Sequence, residues 1–356
     1  MIRLSGCLFV LMLSAAPATA DEPQTKAPPT AGSALEPGPY RVTSTPARKL
    51  SITISYDLPA MQGVVYFPLP PDTASQRVAS CKLSVVNGNR KLQPIKALDL
   101  GPLKKPLQEV VLKQRTGGQA VVELDLDMFA ARFEPGSPEQ PARKLKGPER
   151  AALTAAGRYY EYDSGPFRRW MTENSLTRAK TERDADFALR VLDFIRRNFE
   201  YRIVDPKQID DQIKRLQISE LVYYTKEKVA ECWGLSSVYT SVLRASGIPC
   251  RQMSGFLLEP RPLRRGGHHV RAEVYLEETG WVLVEVAGAV TANRWPLLDF
   301  FGHRGDDMVL IDQGINYRLA GPRELGNIGT LSGFAIGNAN GEWSFPYAEW
   351  EVKTRE

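Results

Sequence analysis

The fold is decided by the stretch Glu231-Cys232-Trp233-Gly234-Leu235 and the residues that follow it. From its last residue onward, apolar side chains recur at intervals of three and four, which places them on one face of an α-helix. These residues are Leu235, Val238, Tyr239, Val242 and Leu243. Gly247 and Pro249 end the helix, because glycine supplies a left-handed cap and proline cannot continue a helix. The sequence therefore predicts a buried helix with Cys232 at or just before its first turn.

The position of Cys232 makes it a candidate nucleophile. The first turn of a helix carries free N–H groups and a partial positive charge, which favour a thiolate over a thiol. Such a nucleophile needs a base, and the chain has only three histidines, His268, His269 and His303.

Two of these histidines begin a predicted β-hairpin. Residues 269–276 alternate in polarity, as a half-buried strand does, and residues 281–286 form a returning strand that carries Glu285. An imidazole can deprotonate a thiol, and a third polar group can hold the ring in the required tautomer. The residue directly opposite His269 depends on the register of the hairpin, which the sequence leaves open.

These segments resemble the core motifs of the transglutaminase-like superfamily. The family's Cys-led helix ends in Arg-Ala-x-Gly-Ile-Pro-x-Arg, which residues 244–251 match. Its second motif, His-x-x-x-Glu-Val-Tyr followed by Gly-Trp-Val and an acidic residue, is matched by residues 269–275, 280–282 and 285. Carried over by position, the resemblance implies that Cys232 is the nucleophile, His269 the base and Glu285 the orienting carboxylate.

Three positions depart from the family's pattern. Glu285 stands where the family usually has Asp, and we expect its additional methylene to displace the carboxylate. A displacement of about 1 Å can cost on the order of a hundredfold in rate. Arg271 stands where Trp is common, and residues 229–231 lack a glycine often found shortly before the cysteine.

Three further side chains are candidates for the substrate or oxyanion site: Trp233, Tyr224 and His268. Trp233 is a candidate wall of the acyl-binding channel, and the hydroxyl of Tyr224 is a candidate oxyanion donor. Core packing is the alternative role for both, and His268 is a bystander if the strand takes its register from His269. The backbone N–H of Cys232 is the preferred oxyanion donor.

Residues 1–20 have the pattern of a secretory signal peptide. Arg3 precedes an apolar run in residues 7–16, and Ala18-Thr19-Ala20 is a small-x-small cleavage site. The run is too short to anchor the chain in a bilayer. We therefore predict an exported protein, periplasmic or secreted, cleaved after Ala20 and without a transmembrane segment after cleavage.

Three cysteines remain after that cleavage: Cys81, Cys232 and Cys250. An odd number leaves at least one unpaired in a compartment that permits disulfides, and a free catalytic Cys232 accounts for it. Cys81 and Cys250 either form a disulfide or lie buried as small hydrophobic residues, and we favour burial.

The predicted fold class is α+β, with an N-terminal antiparallel β-sandwich followed by a papain-like transglutaminase core in which the Cys-bearing helix packs on an antiparallel sheet. The sandwich is inferred from short alternating strands separated by turns. We recognise no set of candidate catalytic residues in its sequence, and we expect it to be a spacer or partner-binding module. The predicted divisions are a disordered leader (21–48), the sandwich (49–132), a proline-rich linker (133–150), the core (151–323) and a C-terminal extension packing on the core (324–356).

Composition excludes several classes of protein. With 43% hydrophobic and 24% charged residues the chain has enough apolar material for a core, and a net charge of +5 does not indicate nucleic-acid binding. The chain has no Cys-x-x-Cys motif and few histidines, so no zinc site is predicted. No Asp-rich loop with calcium-binding spacing occurs, and no cofactor is expected.

The sequence thus predicts an exported, thiol-dependent acyl-transfer enzyme that forms a thioester on Cys232. Its substrates would be amide bonds of proteins or peptides, including those of the cell envelope. Hydrolysis is preferred over cross-linking, because no second pocket for an amine can be identified. Two alternatives remain: a catalytically weak or silent transglutaminase-fold binding module of the cell envelope, and a purely structural envelope protein.

Overall fold

The structure is a computed structural model that describes residues 35–355 except 59, 61–62, 88–89, 93–95, 101–104, 113–115, 140, 158, 259–267, 304–305, 314–334, 339–342 and 345–347. The predicted signal peptide and most of the predicted leader lie outside the described residues.

The strands of the N-terminal part are β1 (Tyr40–Leu58), β2 (Gly63–Pro68), β3 (Gln76–Asn87), β4 (Arg90–Leu92), β5 (Lys96–Leu100), β6 (Lys105–Leu112) and β7 (Gly118–Pro135). The middle of the chain contains α1 (Gly147–Thr154), α2 (Gly165–Glu173), α3 (Asp184–Asn198), β8 (Glu200–Tyr201), α4 (Pro206–Leu216), α5 (Glu220–Glu227), β9 (Val229–Ala230), α6 (Cys232–Ala245), β10 (Cys250–Leu257), β11 (His268–Leu276), β12 (Gly280–Val284), α7 (Val286–Thr291), a 3₁₀ helix (Leu297–Phe300) and β13 (Met308–Gln313). The last strands are β14 (Ala335–Asn338), β15 (Trp343–Ser344) and β16 (Ala348–Arg355).

Two antiparallel five-stranded sheets form the predicted sandwich, in the orders β16-β1-β7-β3-β4 and β15-β14-β2-β6-β5. Leu50, Ile52 and Ile54 alternate along β1 and are buried against Val65 and Phe67 of the other sheet. The period of two that predicted these strands therefore also selects the residues of the sandwich interior.

The first strand begins earlier than the sequence indicates. Residues 40–48, assigned to a disordered leader, pair with the end of β7, and the register shifts between Pro46 and Arg48. Proline cannot donate to a ladder, so it is tolerated at such an irregularity and hides the strand's alternation. The predicted linker is also shorter, because β7 continues to Pro135 and α1 starts at Gly147.

The C-terminal extension, which the sequence predicts to pack on the core, pairs its described strands with the sandwich. β16 pairs with β1, and β14 pairs with β2, so both complete the sandwich. Trp350 is buried there, with its ring centroid 5.2 Å from that of Phe256. The open edge of β1 binds β16 because unpaired backbone groups at a sheet edge accept another strand.

The core is a four-stranded antiparallel sheet, β12-β11-β10-β13, covered by helices. Helix α6 packs against β10 and β11, and α3 packs against α6. The predicted apolar stripe of α6 is fully buried in the same cluster as Val270, Ala272 and Val274 of β11. The predicted α+β class, with a Cys-bearing helix on an antiparallel sheet, is confirmed.

The sandwich and the core sheet share a hydrophobic interior. Phe256, Val309 and Ile311 of the core sheet belong to the cluster that fills the sandwich. Among the described residues, no helix combines the length and the apolar character needed to span a bilayer.

Candidate functional site

Cys232 is the first residue of α6, as its spacing predicts. Glu231 caps this helix, because its Oε1 accepts the N–H of Gly234 at 3.1 Å. A Cβ at Gly234 would lie 2.7 Å from the ring of Tyr224 and 2.8 Å from Cβ of Ala230. Only glycine therefore lets the first turn of the helix, with its thiol, settle this closely against α5 and β9.

The start of β11 brings His269 to the thiol. The last pair between β11 and β12 joins Ala272 to Val284, so the first residues of β11 have no β12 partner. The carbonyl of Val270 accepts the hydroxyl of Ser236, one turn along α6 from the cysteine, at 3.3 Å. The thiol of Cys232 and the ring of His269 are in hydrogen-bonding contact, and both residues are buried.

Glu285 binds the other side of that imidazole. Nε2 of His269 lies 3.0 and 2.9 Å from the two carboxylate oxygens, which leaves Nδ1 for the thiol. Glu285 follows the last paired residue of β12, which places it across from Arg271 and diagonal to His269. Diagonal cross-strand neighbours are about 7–8 Å apart, a distance that long side chains can bridge. The additional methylene of Glu285 thus brings the carboxylate to the ring, contrary to the displacement expected from the sequence.

Two charged residues of the site were not assigned a role from the sequence. Nε of Arg271 donates to Oε2 of Glu285, and its two terminal nitrogens lie 2.9 and 2.8 Å from the carboxylate oxygens of Asp307. Arg271 is 3% exposed. A signal for it exists, since Arg271 shares the strand face of His269 at a spacing of two. Asp307 is distant in sequence and carries no comparable signal.

The electrostatics of the site favour an ionised pair. Burial lowers the pKa of His269, but the Glu285 carboxylate and the contact with Cys232 outweigh it and raise that pKa to about 10. Burial raises the pKa of Glu285, but the positive charges of His269 and Arg271 lower it by more. The pKa of Glu285 therefore lies well below the usual range of a carboxyl. At neutral pH an imidazolium therefore faces a carboxylate.

The three further candidates have different surroundings. The hydroxyl of Tyr224 lies 2.8 Å from Oε1 of Glu220 and 3.4 Å from Oε1 of Glu231, the cap of α6, so its proton is used on these carboxylates and is not available to an oxyanion. His268 points to the face of β11 opposite to His269, packs edge-on against Phe256, and has a pKa lowered to about 3 by burial. These surroundings favour the packing role for Tyr224 and the bystander role for His268. Trp233 is half-buried and packs edge-on against Tyr159, with ring centroids 5.5 Å apart.

Tyr201 lies beside the site and was missed as a candidate. Its strand β8 pairs in parallel with β9, with Tyr201 opposite Ala230, two residues before the cysteine. Burial raises the pKa of Tyr201, and the negative charges of Cys232, Glu231 and Glu285 raise it further. The pairing of two very short strands leaves no periodic signal in the sequence.

The other described cysteines differ from Cys232. Cys250 is fully buried, its sulfur lies 3.6 Å from Oγ1 of Thr240, and burial raises its pKa to about 12. Cys81 is half-buried on β3, and burial raises its pKa as well. All three described cysteines are free, so Cys81 and Cys250 form no disulfide with each other, and of these two only Cys250 is buried. In the described ranges, no group of three or more His, Cys, Asp or Glu residues is arranged to hold a metal ion.

Comparison with known proteins finds a family profile that matches part of the chain and a solved structure of similar fold. Residues 171–286 match the profile of the transglutaminase-like superfamily. A Cytophaga hutchinsonii protein provisionally named a cysteine protease has 15% identity and a TM-score of 0.55, over 88% of this chain and 93% of its own. The periplasmic domain of TgpA from Pseudomonas aeruginosa has 15% identity and a TM-score of 0.33, over 70% of this chain and 93% of its own. No curated protein sequence matches the chain.

Proposed function

We propose that this chain, whose residues 171–286 match the profile of the transglutaminase-like superfamily, is a thiol-dependent acyl-transfer enzyme acting on amide bonds of proteins or peptides. The observation that carries the proposal is the contact of the Cys232 thiol, at a helix N-terminus, with an imidazole that Glu285 holds by Nε2. A nucleophile, a base and an orienting carboxylate in this order are the parts that covalent acyl transfer requires.

The first half-reaction forms a thioester. The thiolate of Cys232 attacks the carbonyl carbon of the amide, and the C–N bond then breaks as the imidazolium of His269 gives its Nδ1 proton to the leaving amine. The N–H groups of Cys232 and Trp233 lie in the first turn of α6 and have no helical carbonyl partner. We assign oxyanion binding to the N–H of Cys232.

The second half-reaction releases the acyl group. Neutral His269 takes a proton from water, the resulting hydroxide attacks the thioester carbonyl, and the C–S bond breaks to give a carboxylic acid and the thiolate. Hydrolysis is preferred over transfer to an amine, since the motifs define one acyl site and no separate amine site. Trp233 beside the thiol remains our candidate for the wall of the acyl site.

We also propose that the protein is exported and acts outside the cytoplasm, on cell-envelope substrates among others. The support is the signal-peptide pattern of residues 1–20. N-terminal sequencing of the protein secreted by its host is expected to give Asp21 as the first residue. An intact Met1 would contradict export by this route.

The function is tested by alkylation of the mature protein with iodoacetamide across pH, with peptide mapping to follow Cys232. An activated thiol is expected to react well below about pH 8, whereas an ordinary thiol gains reactivity only near its usual pKa of about 8.5. Cys232→Ser is the control for labelling at that position. An ordinary profile for Cys232 would favour the binding-module alternative and overturn the proposal.

The acceptor is tested with a set of fluorogenic peptide amides. Release of free acid in water, abolished in Cys232→Ser, is expected for hydrolysis. Added hydroxylamine diverts the thioester to a hydroxamate, and its yield at a given concentration measures how well an amine competes with water. Complete diversion at low amine concentration would contradict the preference for hydrolysis.

A further inference from the structure

Glu285 is bound more extensively than the orientation of one imidazole requires. Its two oxygens face Nε2 of His269, Oε1 also accepts the N–H of Gly288 at 3.1 Å, and Oε2 also accepts Nε–H of Arg271. The carboxylate therefore lies between two cationic side chains of one strand, and a backbone N–H of α7 fixes its third side.

Arg271 is itself fixed from both edges of its guanidinium. Nε is used on Glu285, and the terminal nitrogens bind Asp307 in a bidentate pair at 2.9 and 2.8 Å. A planar guanidinium held at two edges cannot rotate, so its position is set by Asp307, just before β13. The Asp307 side chain is 38% exposed, whereas the Arg271 side chain is 4% exposed.

The burial of these charges is costly unless each is paired. Two cations, His269 and Arg271, are balanced by two carboxylates, Glu285 and Asp307. Without Arg271, Glu285 would lose the cation that faces it from the opposite strand, and Asp307 would lose its bidentate partner. The arrangement is a chain of contacts from the thiol through imidazole, carboxylate and guanidinium to the outer carboxylate.

We propose that Arg271, anchored by Asp307, is a positioning residue that holds the Glu285 carboxylate against His269. The inference rests on the proposed function, because it assigns a role within the same acyl-transfer site. Arg271 touches neither the thiol nor the position of the substrate in this scheme, and it acts through Glu285 alone.

Arg271 also keeps Glu285 ionised. The groups that face this carboxyl are His269 and Arg271 of β11, the Gly288 N–H of α7, and the more distant Tyr201, Cys232 and Asp307. Removal of the arginine removes one of the two cations that lower the pKa of Glu285, while the burial that raises it stays. Glu285 then protonates at higher pH, and a neutral carboxyl stabilises the imidazolium of His269 less, so the imidazolium–thiolate pair is weakened.

The test is the pH profile of Cys232 alkylation by iodoacetamide in Arg271→Gln, in a Cys81→Ser background that removes the half-buried second thiol. The acid-side midpoint is expected to rise by about one pH unit or more, which is a tenfold change in thiolate at a fixed acid pH. Arg271→Lys keeps the charge and is expected to recover part of the shift. An unchanged midpoint in Arg271→Gln would overturn the positioning role.

The matched control is Arg251→Gln. Arg251 lies on β10 of the same sheet, is also largely buried, pairs with Glu273 at 2.7 Å, and stacks over Trp281. Its loss is expected to lower the unfolding temperature without moving the alkylation midpoint. If both arginine variants moved the midpoint equally, general destabilisation would explain the effect and the proposal would fail.

Asp307→Asn keeps the inference testable if Arg271→Gln does not fold. It preserves the shape of a partly exposed side chain and weakens only the anchor, so a smaller shift in the same direction is expected. The two proposals remain distinguishable in this experiment. An ordinary thiol profile in the unsubstituted protein contradicts the acyl-transfer function, whereas a low midpoint shared by the unsubstituted protein and both site variants contradicts only the role of Arg271.

Discussion

Gly288 and Glu285 are in such close contact that a Cβ at position 288 would collide with the Glu285 side chain. A Cβ at Gly288 would lie 2.6 Å from Cγ of Glu285, and the Gly288 N–H donates to Oε1 at 3.1 Å. The first turn of α7 therefore packs directly against the Glu285 side chain and restricts its conformation.

Gly288→Ala is accordingly expected to reduce amide cleavage on the order of ten- to hundredfold, because a small displacement of the carboxylate misorients His269. The measurement is kcat/KM with a fluorogenic peptide amide, together with the circular dichroism spectrum. Gly147→Ala is the control, since a Cβ at Gly147 meets nothing within 4 Å. Equal activity in the two variants would show that the contact with Glu285 is dispensable.

The two adjacent histidines are expected to titrate far apart. The pKa of His269 is raised to about 10, and that of His268 is lowered to about 3 by burial. In a nitrogen-15 NMR titration, His269 should be an imidazolium at pH 7 and lose its proton near pH 10, while His268 stays neutral. Glu285→Gln removes the charge that raises the pKa of His269, so its transition should move to lower pH. A neutral His269 at pH 7 in the unsubstituted protein would contradict the ionised pair.

The sequence predicted those parts of the site that local patterns encode. Cys232 follows from the start of a helical stripe, and His269 from the start of an alternating strand. The role of Glu285 is implied by the resemblance to the family, because the periodicity leaves the hairpin register open. Arg271 and Asp307 could not be paired in this way, because their contact depends on the hairpin register and on a segment 36 residues away. The same limit applies to Tyr201, which is placed by a two-residue parallel pair.

The fold shows the same division between local and distant information. The strands of the sandwich and the stripe of α6 were predictable, since each needs only its own periodicity. The pairing of β16 with β1 joins positions such as Ile54 and Trp350 that lie at opposite ends of the chain. Nothing in either segment specifies which open sheet edge it will meet.

Gln76 is expected to contribute to the attachment of the sandwich to the core. It is fully buried, its side chain donates to the carbonyl of Leu310 at 2.9 Å, and it accepts the N–H of Leu310 at 2.9 Å. Gln76→Ala leaves both backbone groups without this partner and should lower the free energy of unfolding by about 1–3 kcal/mol. Urea denaturation measures the loss, and the exposed Gln208→Ala is the control. A change no larger than that of the control would contradict the role of Gln76.

Glu231 is expected to make the stability of the fold depend on pH. Burial raises its pKa to about 7, and within the described part of the chain its Oε2 has no hydrogen-bond partner. A raised pKa in the folded state stabilises the fold below the ordinary pKa of about 4.3, and this stabilisation is lost as pH rises through about 7.

As pH rises from 5 to 8, the unsubstituted protein loses this stabilisation and Glu231→Gln does not. The free energy of unfolding of the variant relative to the unsubstituted protein should therefore increase by about 1–3 kcal/mol over this range. Urea unfolding at both pH values gives the difference. Glu227→Gln, an exposed change at the end of α5, is expected to leave the difference near zero. If the stability of Glu231→Gln relative to the unsubstituted protein were the same at pH 5 and pH 8, the carboxyl of Glu231 would be solvated in the folded protein.

The pairing of β16 with β1 makes the core sheet and its helices an insertion within the sandwich, whose first strands precede it and whose last strands follow it. During synthesis at about 5–20 residues per second, the edge of β1 stays open for tens of seconds until residues 348–355 emerge. That edge is an aggregation risk while it waits. The sandwich is thus completed only after the core has been synthesised. A chain truncated before residue 348 would still contain every residue of the thiol site but would lack β16, the strand that pairs with the edge of β1.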